Sequence, residues 1–260
     1  MIRKALLALV ASLAVASIAM AQEGPVGVVV TTTVASLYDR NAFNVVKSSG
    51  LQDGAVVQPN VTMGVKNSGL NAFVAGSFVM NDNSELHEAS YGVNFVKAAS
   101  PLVTVGAGYT FFDNRVDQAG GVVVADNNTH EVWGNVELNS AVGVKPGVTV
   151  KYEKPTVDGQ DSYAVVVGGL KYALPLSGVS VGGAGVDLNW STAVVYNSGV
   201  NVNNVEVVKS GVSAVQFGVS SAVRAGRVVV TPAVNYQVTV ENTVSSDNSF
   251  WATFGVAYGF

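Results

Sequence analysis

The stretch from residue 228 to residue 240 reads VVVTPAVNYQVTV, and its polarity alternates with a period of two. The even-numbered positions carry valine, proline and tyrosine. From Thr231 onward the odd-numbered positions carry alanine and polar residues, including Asn235 and Gln237. Because successive side chains of a β-strand point to opposite faces, this alternation predicts a long strand with one apolar and one polar face.

The same alternation recurs along the chain and is clear again between residues 250 and 260. Every even position there is apolar, and the odd positions after Trp251 are small. Twelve such segments can be recognised, each of 9 to 14 residues. Ordinary strands have about 5 to 6 residues and membrane-crossing strands about 9 to 11, so these lengths favour membrane strands. The predicted strands span 26–38, 54–66, 70–80, 85–97, 101–112, 128–139, 146–154, 161–172, 184–196, 212–223, 227–240 and 248–260.

The predicted connections are alternately long and short. The long ones are rich in Asn, Asp, Gly and Ser, and the short ones include the tight turns expected at 67–69 and 98–100. The loop at 81–84 and the turn at 173–183 break this rule. Long outer loops alternating with short periplasmic turns are typical of outer-membrane barrels. We therefore predict an all-β fold, a transmembrane antiparallel up-and-down β-barrel of about 12 strands.

The composition agrees with this prediction and excludes several other classes. The chain of 260 residues is 48% hydrophobic and only 12% charged, and it contains 55 valines, which favour strands. Beyond residue 21 no apolar run is long enough for a membrane helix. The chain has no run of basic residues that would indicate nucleic-acid binding, and the absence of cysteine excludes disulfides and thiolate zinc sites. Two histidines leave little for a metal site, so neither a metal nor an organic cofactor is expected.

The first 21 residues have the features of a secretory signal peptide. Arg3 and Lys4 form a charged region, an apolar stretch follows, and the small-x-small pattern ends at Ala21. A membrane-anchoring helix is the alternative, but the apolar stretch is short for a span of about 20 residues. We predict a signal peptide at 1–21 and a barrel domain at 22–260, located in the outer membrane of a Gram-negative bacterium.

Aromatic residues are predicted to form two girdles at the membrane interfaces. The chain also ends on an aromatic residue that continues the period-two apolar pattern of the last strand. This resembles the C-terminal strand that the outer-membrane assembly machinery recognises. Phe254, Tyr258 and Phe260 are the predicted assembly signal. The alternative is the aromatic core of a soluble sandwich. The outer girdle comprises Tyr38, Phe111, Tyr163, Tyr196 and Phe250, and the inner girdle comprises Phe95, Tyr172, Tyr258 and Phe260.

Several short motifs resemble the TorF-like porin family of small outer-membrane barrels. Residues 58–61 (QPNV), 69–77 (GLNAFVAGS) and 231–236 (TPAVNY) are similar to elements of that family. The early Tyr38-Asp39-Arg40 departs from it, because the arginine follows too soon and Asn41 replaces a glycine. The resemblance implies a porin-like barrel.

The polar face of the predicted barrel carries the candidate functional residues. Charged side chains facing lipid cost a few kcal/mol each near the midplane, so they are expected to point into the lumen. Five carboxylates against two lysines predict a mild cation preference in a passive channel for small solutes or ions. The predicted pore-lining charges are Lys66, Glu88, Glu131, Glu137, Lys151, Glu153 and Asp187.

Three alternatives to an open channel are considered. Inward side chains could pair and close the lumen, with Lys151 neutralising neighbouring glutamates, or the chain could be an adhesin-like surface protein. A barrel enzyme is less favoured, because no glycine-rich nucleophile elbow occurs and His87 and His130 share parity with apolar residues. The expected partners are therefore outer-membrane lipid, the assembly machinery and small solutes, and no catalytic residue is assigned.

Overall fold

The computed structural model describes residues 25–36, 39–40, 43–44, 55–80, 84–118, 128–140, 143–181, 184–203, 205–240 and 248–260. The predicted signal peptide and Tyr38 lie outside the described residues. Within the described part, no helix is long and apolar enough to span a membrane.

Sixteen β-strands occur among the described residues, and twelve of them form one closed barrel. The barrel strands are β1 (Val26–Ala35), β4 (Ala55–Val65), β5 (Leu70–Met80), β6 (Ser84–Ser100), β7 (Val103–Gln118), β8 (Thr129–Leu138), β9 (Val144–Pro155), β10 (Tyr163–Val181), β11 (Ala184–Asn197), β14 (Gly211–Ala225), β15 (Val228–Thr239) and β16 (Ser249–Gly259). Two small hairpins lie outside it, formed by β2 (Asp39–Arg40) with β3 (Phe43–Asn44) and by β12 (Val200–Val202) with β13 (Val205–Val208).

Each barrel strand pairs antiparallel with the next barrel strand in the chain, and the first strand closes the barrel against the last. Val34 of β1 lies opposite Val57 of β4 on one side and Phe254 of β16 on the other. The predicted class and strand number are therefore confirmed. The inner end of the barrel is the end at which β1 begins, β16 ends and the short connections lie. The opposite end is the outer end.

The two faces of the barrel wall separate by polarity, as the alternation predicts. On β9, Val148, Val150 and Tyr152 are about half exposed on the outside, whereas Lys151 and Glu153 point inward. The same strand thus presents valine and tyrosine to the surroundings and charge to the lumen. An uncovered apolar belt of this kind is what a lipid-facing barrel requires.

The turn predicted at 173–183 is wrong, because β10 continues to Val181. Leu174 and Pro175 still pair with β11, and the register shifts between Pro175 and Ser180. Proline and glycine in this stretch suggest a turn in the sequence, but in the structure they accompany a strand irregularity, where proline is tolerated. Only residues 182 and 183 separate β10 from β11, so the inner connections follow the short-turn rule better than predicted.

The predicted tight turn at 67–69 is confirmed between β4 and β5. Asn67 and Gly69 have φ values of 64° and 84°, in the left-handed region that glycine and asparagine tolerate best. A Cβ atom at residue 69 would lie 2.5 Å from the carbonyl oxygen of Val96, so the close approach of β6 also requires glycine. The loop after Met80 remains short, as the sequence indicates.

Candidate functional site

Three of the predicted lumen carboxylates lie in the outer half of the barrel and are buried there. Glu131 and Glu153 are register partners on β8 and β9. The Nζ atom of Lys151 lies 3.4 Å from Glu131 Oε2, and Glu88 is buried on β6. The structure thus brings Glu131, Lys151 and Glu153 together as the alternation predicts, and the neutralising role considered for Lys151 has a geometric basis.

Tyr163 was predicted in the outer lipid-facing girdle, and this placement is wrong. Its hydroxyl donates a 2.7 Å hydrogen bond to Glu153 Oε2, and its ring packs in the lumen near Val165. The valine run 165–167 hides the alternation of β10 in the sequence. Phe111, Tyr196 and Phe250 do share a face with outward apolar residues such as Tyr109 and Phe217.

Buried inward-facing side chains occur on most strands in the outer part of the barrel, and we call this set the outer ring. Each member is at most 7% exposed, and eleven of the twelve barrel strands contribute one. Val165, Val195 and Ala214 pack together within it. The outer ring is therefore a level at which the inward-facing side chains are closely packed and almost inaccessible to solvent. Its members are Ala35, Val56, Ser77, Glu88, Thr110, Glu131, Glu153, Val165, Val195, Ala214 and Gln237.

The inner half of the lumen is more open. Val29, which faces inward near the inner end of β1, is 43% exposed, and the Lys171 side chain is 68% exposed. A cavity of about 380 Å³ lies against β8 to β11 and β14. We call this space the inner vestibule. Its polar lining consists of Glu137, Lys145, Lys171, Asn189, Ser191 and Ser220.

An ion pair on the wall of the inner vestibule joins two strands that are not neighbours. Lys171 Nζ lies 2.7 Å from Glu137 Oε2, although β9 runs between the two strands that carry these residues. Gly147 and Gly169 are register partners beneath the pair, and their missing side chains leave space for it. Sequence reasoning missed Lys171, because the apolar run before it obscures the parity that it shares with Val165.

The remaining predicted site residues are scattered. Lys66 is exposed in the turn after β4 and is not part of the barrel wall. Asp187 lies on the inward face near the inner end of β11. His130 faces outward as predicted, with its Nδ1 atom 2.8 Å from the Tyr109 hydroxyl, and the side chain of His87 lies outside the described residues.

The lumen is less acidic than the sequence indicates. Lys145 and Lys171 face it directly, and Arg224 lies on the inward face of β14 with Ser220. Glu88, Glu131 and Glu153 of the outer ring still outnumber the nearby Lys151, so the acidic excess is confined to that level. Toward the inner end, the acidic residues are Glu137 and Asp187 and the basic residues are Lys145, Lys171 and Arg224.

The metal-ligating side chains are scattered in the described part of the chain. No group of three or more His, Asp or Glu residues there could hold a metal ion. The neighbours of His130 are the aromatic rings of Tyr109 and Phe111, at centroid distances of 6.0 and 5.1 Å. Such stacked rings on an outward face are typical of a membrane interface.

The fold is shared with solved outer-membrane barrels. The KdgM porin, solved in complex with disordered oligogalacturonate, matches with a TM-score of 0.53 and 8% identity over 90% of this chain and 99% of that chain. The beta domain of the Bordetella autotransporter BrkA gives 0.53 and 12%, also over 90% and 99%. LpxR from Salmonella typhimurium gives 0.52 and 10% over 88% and 99%. At these identities the likeness shows the fold.

No protein-family model and no curated protein matches the sequence. The closed barrel, its uncovered apolar belt and the likeness to outer-membrane barrels together support a location in the bacterial outer membrane. Because a porin and an autotransporter domain share this fold, the function has to be inferred from the lumen.

Proposed function

We propose that the chain is a porin-like channel for small solutes or ions, related to the TorF-like porins that its motifs resemble. The observation that carries this proposal is the polar, charged lumen with a solvent-exposed inner vestibule. A wall that faces only packed side chains needs no lysine exposed to the extent of Lys171. The KdgM porin provides a precedent for this use of the fold.

The proposed channel has a mild cation preference that arises at the outer ring. Selectivity is set where the path is narrowest and the charges are closest to the permeating ion. There Glu88, Glu131 and Glu153 outnumber Lys151. The basic residues of the inner vestibule line a wider space and therefore influence the ion less.

Planar-bilayer recording of the folded protein tests the proposal. We expect discrete current steps of small amplitude, because the outer ring is closely packed. In a potassium chloride gradient, the sign of the reversal potential should indicate a preference for cations. Substituting Glu131→Gln and Glu153→Gln together should reduce the cation preference, whereas Glu137→Gln in the wide vestibule should change it less. Absence of steps at all voltages would refute the channel, and anion preference in the unmodified protein would refute the charge argument.

A non-conducting barrel is the second candidate, and the outer ring is the observation that favours it. Its members are almost inaccessible to solvent, so side chains alone could close the path at this level. Replacing Val165 and Val195 by alanine removes volume from the ring. Current steps that appear only in this double variant would favour a structural barrel over a channel.

The proposal includes how the chain reaches the membrane. We expect removal of residues 1–21 on export, followed by insertion by the assembly machinery through Phe254, Tyr258 and Phe260. The protein purified from the outer membrane should begin at Gln22, which intact-mass measurement tests. It is not proposed to be an enzyme, since His130 and its partner Tyr109 lie on the outward face and do not line the lumen.

A further inference from the structure

The inner vestibule contains an arrangement of lysines that a purely structural wall would avoid. Lys145 of β9 and Lys171 of β10 are direct register partners, and both line the same cavity. Side chains directly opposite each other on antiparallel strands have Cβ atoms about 4.5 to 5.5 Å apart, and like charges in this position are destabilising. The barrel thus places two ammonium groups side by side.

One carboxylate lies close enough to offset part of this charge. Glu137 contacts Lys171 at 2.7 Å, and Lys145 has no ion pair among the described residues. Asp187 and Arg224 lie farther toward the inner end and do not line the cavity. The cavity lining therefore carries one net positive charge.

Neutral hydrogen-bonding groups complete the lining on the adjoining strands of the wall. Asn189 and Ser191 of β11 and Ser220 of β14 border the same space. Asn189 and Ser220 are register partners, and Ser191 is the register partner of Lys171, so amide and hydroxyl groups lie beside the lysines on the same wall. A cavity of about 380 Å³ falls in the range of small-molecule sites, which is far larger than a single inorganic ion needs.

We infer that the inner vestibule binds small hydroxylated organic acids. The carboxylate would lie between Lys145 and Lys171, where charge-assisted hydrogen bonds are strongest. The hydroxyl groups would meet Asn189, Ser191 and Ser220. This site requires only an accessible vestibule, so it does not depend on ion conduction through the outer ring.

The test uses the folded protein in detergent micelles with its lysines reductively dimethylated with carbon-13, which preserves their charge. The Lys145 and Lys171 signals are assigned from Lys→Arg variants. D-gluconate is titrated at constant ionic strength, and D-glucitol, which differs by having an alcohol in place of the carboxylate, is the matched neutral probe. We expect saturable shifts of both signals with gluconate and none with glucitol.

Matched variants locate the binding. Lys145→Gln and Lys171→Gln should each weaken the gluconate affinity about tenfold, as expected for loss of one charge-assisted hydrogen bond. Lys154→Gln is the control, because Lys154 lies on the opposite face of the same strand as Lys145. Glu137→Gln should tighten binding, since it removes the carboxylate that competes for Lys171.

Several results would overturn the inference. These are the absence of saturable shifts, shifts of the same size with glucitol, shifts of the same size in the Lys154 signal, or a gluconate affinity that Lys145→Gln and Lys171→Gln leave unchanged from that of the unmodified protein. Gluconate binding by a protein that carries no current would support the site and refute the channel. Current without gluconate binding would do the reverse, so the two proposals fail independently.

Discussion

Lys171 and Glu137 form a 2.7 Å ion pair between strands that are not neighbours in the barrel. The pair spans β9 at Gly147, where a Cβ atom would lie 3.6 Å from Glu137 Cβ and 3.2 Å from the carbonyl oxygen of Val136. A glycine in the intervening strand therefore makes this long-range contact possible. The contact links β8 to β10 across β9 at the vestibule.

Despite its short distance, this pair should contribute little to stability. The Lys171 side chain is 68% exposed, and exposed ion pairs contribute about 0.2 to 1 kcal/mol. A double-mutant cycle of Lys171→Gln and Glu137→Gln, measured by urea unfolding from phospholipid vesicles, should give a coupling energy in this range. A coupling above about 2 kcal/mol would show that the vestibule is drier than its exposure indicates.

Gly108→Ala should destabilise the barrel through Trp133. The indole ring lies against Gly108 inside the lumen, and a Cβ atom there would come within 2.6 Å of it. Overpacking of this kind costs about 1 to 3 kcal/mol in the free energy of unfolding. Gly168→Ala is the control, since nothing lies within 4 Å of its Cβ position. In a Trp133→Ala background the effect of Gly108→Ala should disappear, and a loss of the same size there would contradict the steric explanation.

The sequence predicts the barrel well because its decisive signal is local. Alternation along a single strand, as at 228–240, requires no knowledge of partners, and most strands of the barrel repeat it. The strand limits fail where several valines stand together or where proline and glycine mark an irregularity, as at Val165 and Pro175. There the pairing with neighbouring strands decides the structure.

The candidate site is less predictable, because it depends on register between strands. Parity predicts that Glu131 and Glu153 face inward, but it does not reveal that Tyr163 contacts Glu153. Nor does it reveal that Lys145 and Lys171 are opposite each other, since a shift of one residue would turn one of them outward. The outer ring arises from burial contributed by eleven strands, which no single segment encodes.

Val150→Arg should lower the free energy of unfolding, whereas Thr149→Arg should change it little, although the two residues are neighbours on β9. Val150 is half exposed on the apolar outer face, whereas Thr149 points into the lumen. An arginine facing lipid near the midplane costs about 2 to 4 kcal/mol. Urea unfolding from phospholipid vesicles should show this difference, and equal effects of the two substitutions would contradict the assignment of the lipid face.

Tyr163→Phe should weaken the outer ring. The lost hydrogen bond to the buried Glu153 carboxylate is charge-assisted, and such bonds contribute about 1.5 to 3 kcal/mol. Tyr172→Phe is the matched control, because Tyr172 lies on the outward face of the same strand. Vesicle unfolding should separate the two variants. If Tyr163→Phe is no more harmful than Tyr172→Phe, the contact with Glu153 does not stabilise the ring.

Phe260→Ala should reduce assembly in cells more than it reduces the stability of the folded barrel. The backbone N–H of Phe260 donates to Val28 O at 2.9 Å, and this barrel-closing hydrogen bond persists in the variant. The side chain contributes a ring contact with Tyr258, at a centroid distance of 4.6 Å, so little packing is lost. If the assembly machinery recognises the terminal aromatic side chain, loss of that side chain acts before the barrel has folded.

Phe250→Ala is the control, because Phe250 lies on the same face at the other end of β16 and is exposed. We expect less heat-modifiable barrel in the outer-membrane fraction for Phe260→Ala than for Phe250→Ala, while both purified variants refold equally well in detergent. A matching loss on refolding would assign the role of Phe260 to packing rather than to recognition.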